Sequence, residues 1–246
     1  MSADDFAERV ADVAVLADPI SQNLYLFVVA SAESVSRDLA AEGIGVPRHT
    51  AKFHLDKLVE QGLLDITFQR LSVRRGPGAG RPTKLYRRSA RQVSVTLPER
   101  RYDLAGELLA QAIEDSDRDG TPVVGALRAA AGRLGRALAD RTLSELEPDP
   151  ARERRIEATR GALAGQGYEP RSEGDAITLA NCPFDALARG HVDLVCGMNL
   201  ALVGTMADCI GDGSLDARLD PADDRCCVVL DVGRPGARVG RPDPGA

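Results

Sequence analysis

The chain has 246 residues, 43% hydrophobic and only 4% aromatic with no tryptophan, so its core must be built mainly from Leu, Val and Ala. That length fits one large domain or two ordinary ones, and a formal net charge of −6 argues, taken alone, against a nucleic-acid partner. No apolar run approaches the roughly 20 residues of a membrane span, and the opening MSADDFAERV lacks the charged-then-apolar pattern of a signal peptide, so the expectation is a cytoplasmic protein without a membrane partner.

Residues 5–17 predict a short amphipathic helix. Asp18-Pro19 starts another, with Asp18 as N-cap and Pro19 at the first helical position, continuing through ISQNLYLFVVA. Ser34 to Glu42 reads as a helix capped by Ser34 or Ser36. GIGV makes a tight turn, and Pro47 opens a helix that ends at Gly62. On that helix Ala51, Leu55, Leu58 and Gly62 recur at spacings of four, three and four, which is one buried stripe. Arg48, His49, Lys52 and, nearer the edge, Phe53 and Lys57 fall away from it. Arg48 and Lys52 lie one turn apart, so both can reach a groove floor or its flanking phosphates. Thr50, near the helix start, can donate to a phosphate. His54, next to apolar Leu55, reads as a half-buried histidine that braces the turn.

Leu64 to Val73 alternates as a strand, RRGPGAGRP (74–82) makes a hairpin tip, and TKLYRR (83–88) returns as a second strand. Arg74, Arg75, Arg81 and Lys84 surround three glycines and two prolines, suiting a wing that neutralises phosphates or enters the minor groove. The acidic average hides this strip. Residues 66–101 carry ten Lys/Arg (Arg70, Arg74, Arg75, Arg81, Lys84, Arg87, Arg88, Arg91, Arg100, Arg101) against one acid, Glu99, whereas residues 102–246 carry 16 Lys/Arg against 25 Asp/Glu. A basic strip joined to an acidic body is the signal that matters. The order helix, helix, turn, helix, strand, tip, strand predicts a winged helix-turn-helix that binds double-stranded DNA.

Beyond the strip, 97–115 predicts an amphipathic helix with Leu104, Leu108 and Ala112 on one stripe. SDRDGTP is a linker, and 123–146 is an Ala/Leu-rich helix. Two long helices in this place are expected to pair with a second subunit in a homodimer. A helix follows at 150–165, then an alternating stretch from Gly167 to Phe184, a buried helix at 191–211, and a segment ending in a strand at VVLDV. The expected fold class is α+β: an N-terminal winged helix-turn-helix (1–92), a helical dimerisation region (93–147), a small C-terminal α/β sensor domain (148–232), and a disordered tail (233–246).

The five cysteines fall at four loci: Cys182, Cys196, Cys209 and the adjacent pair Cys226-Cys227. An odd number at these spacings does not read as a secreted disulfide framework, and no CxxC marks a zinc ribbon. On one helix, Cys196 and Cys209 would stand roughly 20 Å apart and about 140° out of phase. They cannot serve one centre, and Cys209 reads as a buried small hydrophobe. Cys182, Cys196 and one or both of Cys226 and Cys227 remain, because neighbours on a strand face opposite ways unless the strand bulges. His191, Asp193 or Asp185 are candidates for a fourth position. Thiolate sets of this kind suit iron–sulfur clusters. No nucleophile–base pair, phosphate loop or paired carboxylates stand out, so no enzyme is expected.

The run HTAKFHLDKLVEQGLL followed by GAGRPTKLY resembles the ArsR-like winged-helix repressors. HLDKL-x-x-x-GLL with GRPTKLY and a cysteine-bearing C-terminal region is similar to the SufR-type iron–sulfur-responsive regulators, over nearly the whole chain. That resemblance implies a repressor whose cysteines hold a [4Fe–4S] or [2Fe–2S] cluster and whose operator affinity follows the cluster's state. The adjacent Cys pair departs from the pattern and leaves the third ligand open. The alternative input is zinc, thiol redox state or a small apolar ligand.

Overall fold

The computed structural model describes residues 3–69, 82–222 and 224–233. They form a mixed α+β structure with two small sheets, divided into one compact unit from Ser2 to Val95 and another from Thr96 onward.

In the first unit, α1 (Ala3–Ala14) runs into a 3-10 turn at Val15–Ala17. Helix α2 (Pro19–Ala30) starts where the Asp18 carboxylate accepts from the backbone N–H groups of Ile20 and Ser21, both at 2.9 Å. That satisfies two donors a helix start otherwise leaves open. The next helix begins later than Ser34, because Val35 and Ser36 are used as a short strand, β1 (Val35–Ser36). Ser36 Oγ then caps α3 (Arg37–Ile44) by accepting from Leu39 N–H at 3.1 Å. Helix α4 (Arg48–Glu60) follows the turn, and Ala51, Leu55 and Leu58 are fully buried, the stripe read from the sequence. They pack with Leu24 and Val28 of α2 and Ala40 of α3.

Strands β2 (Leu64–Gln69) and β3 (Thr83–Arg88) pair antiparallel, from Leu64 opposite Arg88 to Gln69 opposite Thr83. β1 adds antiparallel to the other edge of β3, in the order β1-β3-β2. Residues 70–81 lie outside the described residues, and with them the expected tip and Arg74, Arg75 and Arg81. Arg91 ties the unit together: it pairs with buried Asp12 of α1 at 2.5 Å and donates to the Gln61 carbonyl at the end of α4 at 3.0 Å.

The second unit contains α5 (Tyr102–Asp119), α6 (Val123–Ser144), α7 (Arg152–Gly165), β4 (Pro170–Glu173), β5 (Ala176–Leu179), α8 (Asp185–Gly190), α9 (Val192–Gly211), β6 (Leu215–Leu219) and β7 (Val228–Val232). The first of these helices starts at Tyr102, five residues later than the sequence suggests. The sheet is antiparallel in the order β4-β5-β7-β6. Residues 93–147 and 148–232, separated in the sequence reading, share one core here: Leu108 of α5, Leu127 and Ala131 of α6, Leu163 of α7, Ile177 of β5, Leu202 and Met206 of α9, and Leu230 of β7. The small residues Ala126, Ala130, Ala131, Gly135 and Ala139 line the buried side of α6. At Gly135 the helices approach so closely that a Cβ would run into the Leu202 carbonyl. An aromatic-poor chain thus gains core by bringing backbones together.

The membrane expectation needs one correction. With 20 residues and a mean hydropathy of 1.5, α9 is long and apolar enough to cross a bilayer. It is instead the central helix of this unit, with Met198, Leu202, Val203, Met206 and Ile210 at most 1% exposed. The expected tail lies outside the described residues from 234 onward.

Candidate functional site

Two sets of side chains stand out, one in each unit. The first is the outer face of α4. Opposite its buried stripe, Arg48, His49, Lys52, Phe53 and Lys57 are exposed, and Thr50 is half-buried. This follows from the helical period: Ala51 and Leu58, four before and three after Leu55, share its inward side, whereas Lys52 and Phe53 fall on the outer side. Phe53 is 63% exposed, with its ring edge-on to that of His54. His54 faces the other way: its Nδ1 is 2.8 Å from Ser21 Oγ and 3.4 Å from the Asp18 carboxylate. It is half-buried, as the sequence suggests, but braces α4 against the start of α2.

The cations on this face have acidic neighbours. Arg48 Nε is 3.6 Å from Asp38, and Lys52 Nζ is 2.9 Å from Asp56. Lys84 reaches back from β3 to the other Asp56 oxygen at 2.5 Å, and the Tyr86 hydroxyl donates to the same oxygen at 3.1 Å. Burial pushes the Asp56 carboxyl up, but hydrogen bonds from Lys84 and Lys52 outweigh it and hold it below the usual carboxylate value. Burial first, and then the Asp56 carboxylate, push the Tyr86 hydroxyl up to about 12. Asp56 is therefore a joint between α4 and the sheet. Sequence reading missed it, although an acid between two lysines on a cationic face was a visible anomaly.

The second set lies in the other unit. A cavity of about 640 Å³ is lined by Cys182, Cys196, Cys226 and Cys227 together with Asp185, Arg189 and Arg225. The thiols come from three places: the turn before α8, the first turns of α9, and the residues just ahead of β7. The strand starts only at Val228, so strand alternation does not govern the Cys pair. Both Cys226 and Cys227 line it, the wider of the two sets that the sequence leaves open. Cys209, also on α9, does not, in keeping with its exclusion by helix geometry. Of the non-cysteine candidates, Asp185 lines the cavity, whereas His191 and Asp193 are exposed beside it and are not among the lining residues.

The thiols are close enough to perturb one another. The neighbouring Cys226 thiol, then burial, raises the Cys182 thiol far above its usual range. Cys182 in turn holds Cys226 down, but the contact with Cys227 and burial outweigh it and push Cys226 up to about 12. Burial raises Cys196, against a lowering hydrogen bond with Cys227. Burial thus favours the protonated form of Cys182, Cys196 and Cys226, because adjacent thiolates would repel in a poorly hydrated site.

The turn bearing Cys182 is held from the start of the unit. Arg100 Nη1 donates to Asn181 Oδ1 at 2.5 Å and to the Cys182 carbonyl at 3.4 Å. Asn181 Nδ2 donates to the Glu99 and Gly167 carbonyls, and Arg101 N–H donates to the Pro183 carbonyl at 3.0 Å. Among the described residues, no three His, Cys, Asp or Glu side chains are grouped closely enough to hold a single metal ion as they stand. No protein-family model, curated protein or solved structure matches the chain.

Proposed function

We propose that this chain is a cytoplasmic, homodimeric transcription regulator, a winged helix-turn-helix repressor whose hold on its operator is set by an iron–sulfur cluster. The observation that carries the input end is the convergence of four thiols from three chain segments on one cavity. The donor set fits the group. Iron–sulfur clusters take Cys thiolates, up to four of them, and a core of several irons spreads its ligands more widely than one ion does. Cys182, Cys196, Cys226 and Cys227 would hold the cluster, and Asp185 is the oxygen donor at hand if one thiol stays out. The bound cluster supplies a charge- and redox-sensitive centre; the chain supplies the thiolates and encloses them.

The output end is supported by α4. Its cationic face is free of the core, and the antiparallel β2–β3 pair follows directly in the chain with Lys84 facing α4. In this reading Arg48 and Lys52 reach phosphates or base edges, Thr50 and Lys57 flank them, and Phe53 offers an apolar surface to thymine methyls. His49 joins the same face, and Arg74, Arg75, Arg81 and Lys84 of the basic strip add phosphate-neutralising charge. Exposed Ile113, Val123 and Val124 offer apolar surface to a second subunit. The motifs HLDKL-x-x-x-GLL and GRPTKLY, similar to SufR-type regulators, point the same way.

The test is anaerobic purification with iron, sulfide and zinc analysis, followed by DNA-binding assays of loaded and metal-free protein. Matching iron and sulfide, with different DNA affinities in the two states, is the expected result. Colourless, iron-free protein with unchanged DNA binding refutes it. The placement of Cys182 and Cys226 on one cavity favours a second reading, a thiol–disulfide or zinc switch there; zinc in place of iron, or a metal-free response abolished by Cys182→Ser, would select it.

A further inference from the structure

Asn199 sits on α9 three residues after Cys196, so both point to the same side of the helix. It is 1% exposed in a run otherwise apolar, Met198 to Val203. Its Nδ2 donates to Cys226 Sγ at 3.1 Å, and its Oδ1 accepts from the hydroxyl of Tyr168. Tyr168 is itself 2% exposed. It stands where α7 ends: Gly167, at φ +88°, turns the chain, and Tyr168 N–H bonds back to the Leu163 carbonyl at 3.2 Å. That terminating turn carries the ring inward, as the residue after a left-handed glycine commonly packs.

A leucine would fill the position of Asn199 without a polar burden. The amide is instead buried, with its oxygen taken by tyrosine and its N–H directed at a sulfur. A neutral thiol is a weak acceptor; a metal-bound thiolate carries charge, and hydrogen bonds to charged groups are stronger. The donor is thus aimed at an atom that makes a strong acceptor only when Cys226 is a ligand. Outer partners of this kind orient metal ligands, and hydrogen bonds to sulfur help set the reduction potential of an iron–sulfur cluster.

We propose that Asn199, oriented by Tyr168, is a positioning residue for Cys226 that raises the reduction potential of the cluster. The proposal rests on the iron–sulfur reading given above. The direction follows from charge: a reduced cluster places more negative charge on its ligand sulfurs, so a donor stabilises the reduced state more. Asn199→Leu removes the donor while keeping the number and branching of side-chain heavy atoms, and Tyr168→Phe removes only the hydroxyl that orients it.

The experiment uses the full chain, loaded anaerobically, as wild type and both variants. It measures iron and sulfide content, the midpoint potential by electrode titration, and the melting temperature. Asn199→Leu is expected to keep its iron and to shift the oxidised-to-reduced equilibrium about tenfold toward the oxidised form, about 59 mV downward for a one-electron couple. Tyr168→Phe should move it the same way by less. A merely structural polar pair would lower the melting temperature and leave the potential in place. Loaded wild type with unmoved potentials in the variants overturns this inference while the iron–sulfur reading stands. Wild type without iron and sulfide overturns both. If Asn199→Leu does not fold, Tyr168→Phe decides, and an unmoved potential there counts against the proposal.

Discussion

Replacing Arg48 and Lys52 together by alanine tests the cationic face of α4 where it is most exposed. Their side chains are 72% and 60% exposed. Their ion pairs with Asp38 and Asp56 are of the surface kind, worth at most about 1 kcal/mol each, so the double variant should fold. Those pairs also make little barrier to exchanging a carboxylate for a phosphate. If both cations meet phosphates, the slope of log affinity against log salt falls by roughly 0.9 for each, about 1.8 per protomer. Over a fourfold rise in salt, from about 50 to 200 mM, that amounts to about tenfold less loss of affinity for the variant per protomer. Fluorescence anisotropy on a random-sequence duplex suffices, because non-specific binding is itself electrostatic. At low salt the variant binds more weakly, and its line is shallower. Parallel lines, with affinities unchanged, would refute the assignment of this face to DNA.

Serine at Cys182, Cys196, Cys226 or Cys227 should each lower metal retention at least about tenfold, since even loss of an outer-shell partner costs that much; Cys209→Ser is the control, and an equal loss there on iron analysis would dissolve the selection of the four. Gly135→Ala should destabilise the chain by about 1–3 kcal/mol through overpacking at the α6–α9 crossing, read as a lower urea midpoint, whereas Gly106→Ala, with open space around it, should not. Asp56 gives a pH test. Its folded value lies below the ordinary 3.8, so its contribution is complete above that value and is lost as pH falls through the folded value. Between pH 6 and pH 3 the wild type should therefore lose more stability than Asp56→Ala; equal losses would show that the Lys84 and Lys52 bonds carry no net weight.

What was legible in the chain, and what was not, follows from the range of each interaction. The buried stripe of α4, the Asp18 cap and the pairing of 64–69 with 83–88 rest on periods and on neighbours within a few residues, so the sequence carries them directly. Strand β6 and helix α8 span only five and six residues, too few for a pattern to stand out, and neither was anticipated. The choice within the Cys pair was left open for a local reason with a long-range cause. Alternation was applied to residues that precede the strand, and the strand's start is set by its pairing with β6, from Val228 opposite Leu219. The hold of Arg100 on Asn181 spans 81 positions, beyond any reading of spacing. Asn199 is the instructive case. Once residues 191–211 are read as a buried helix, a lone amide in its apolar run must find partners or cost about 1–3 kcal/mol, and its place three residues from Cys196 already says which side it faces. A buried polar residue on a helix that also supplies a thiol is thus a signal available from sequence. Its partners, Tyr168 and Cys226, are 31 and 27 positions away. Only the fold could name them, and only they turn an awkward amide into a donor aimed at sulfur.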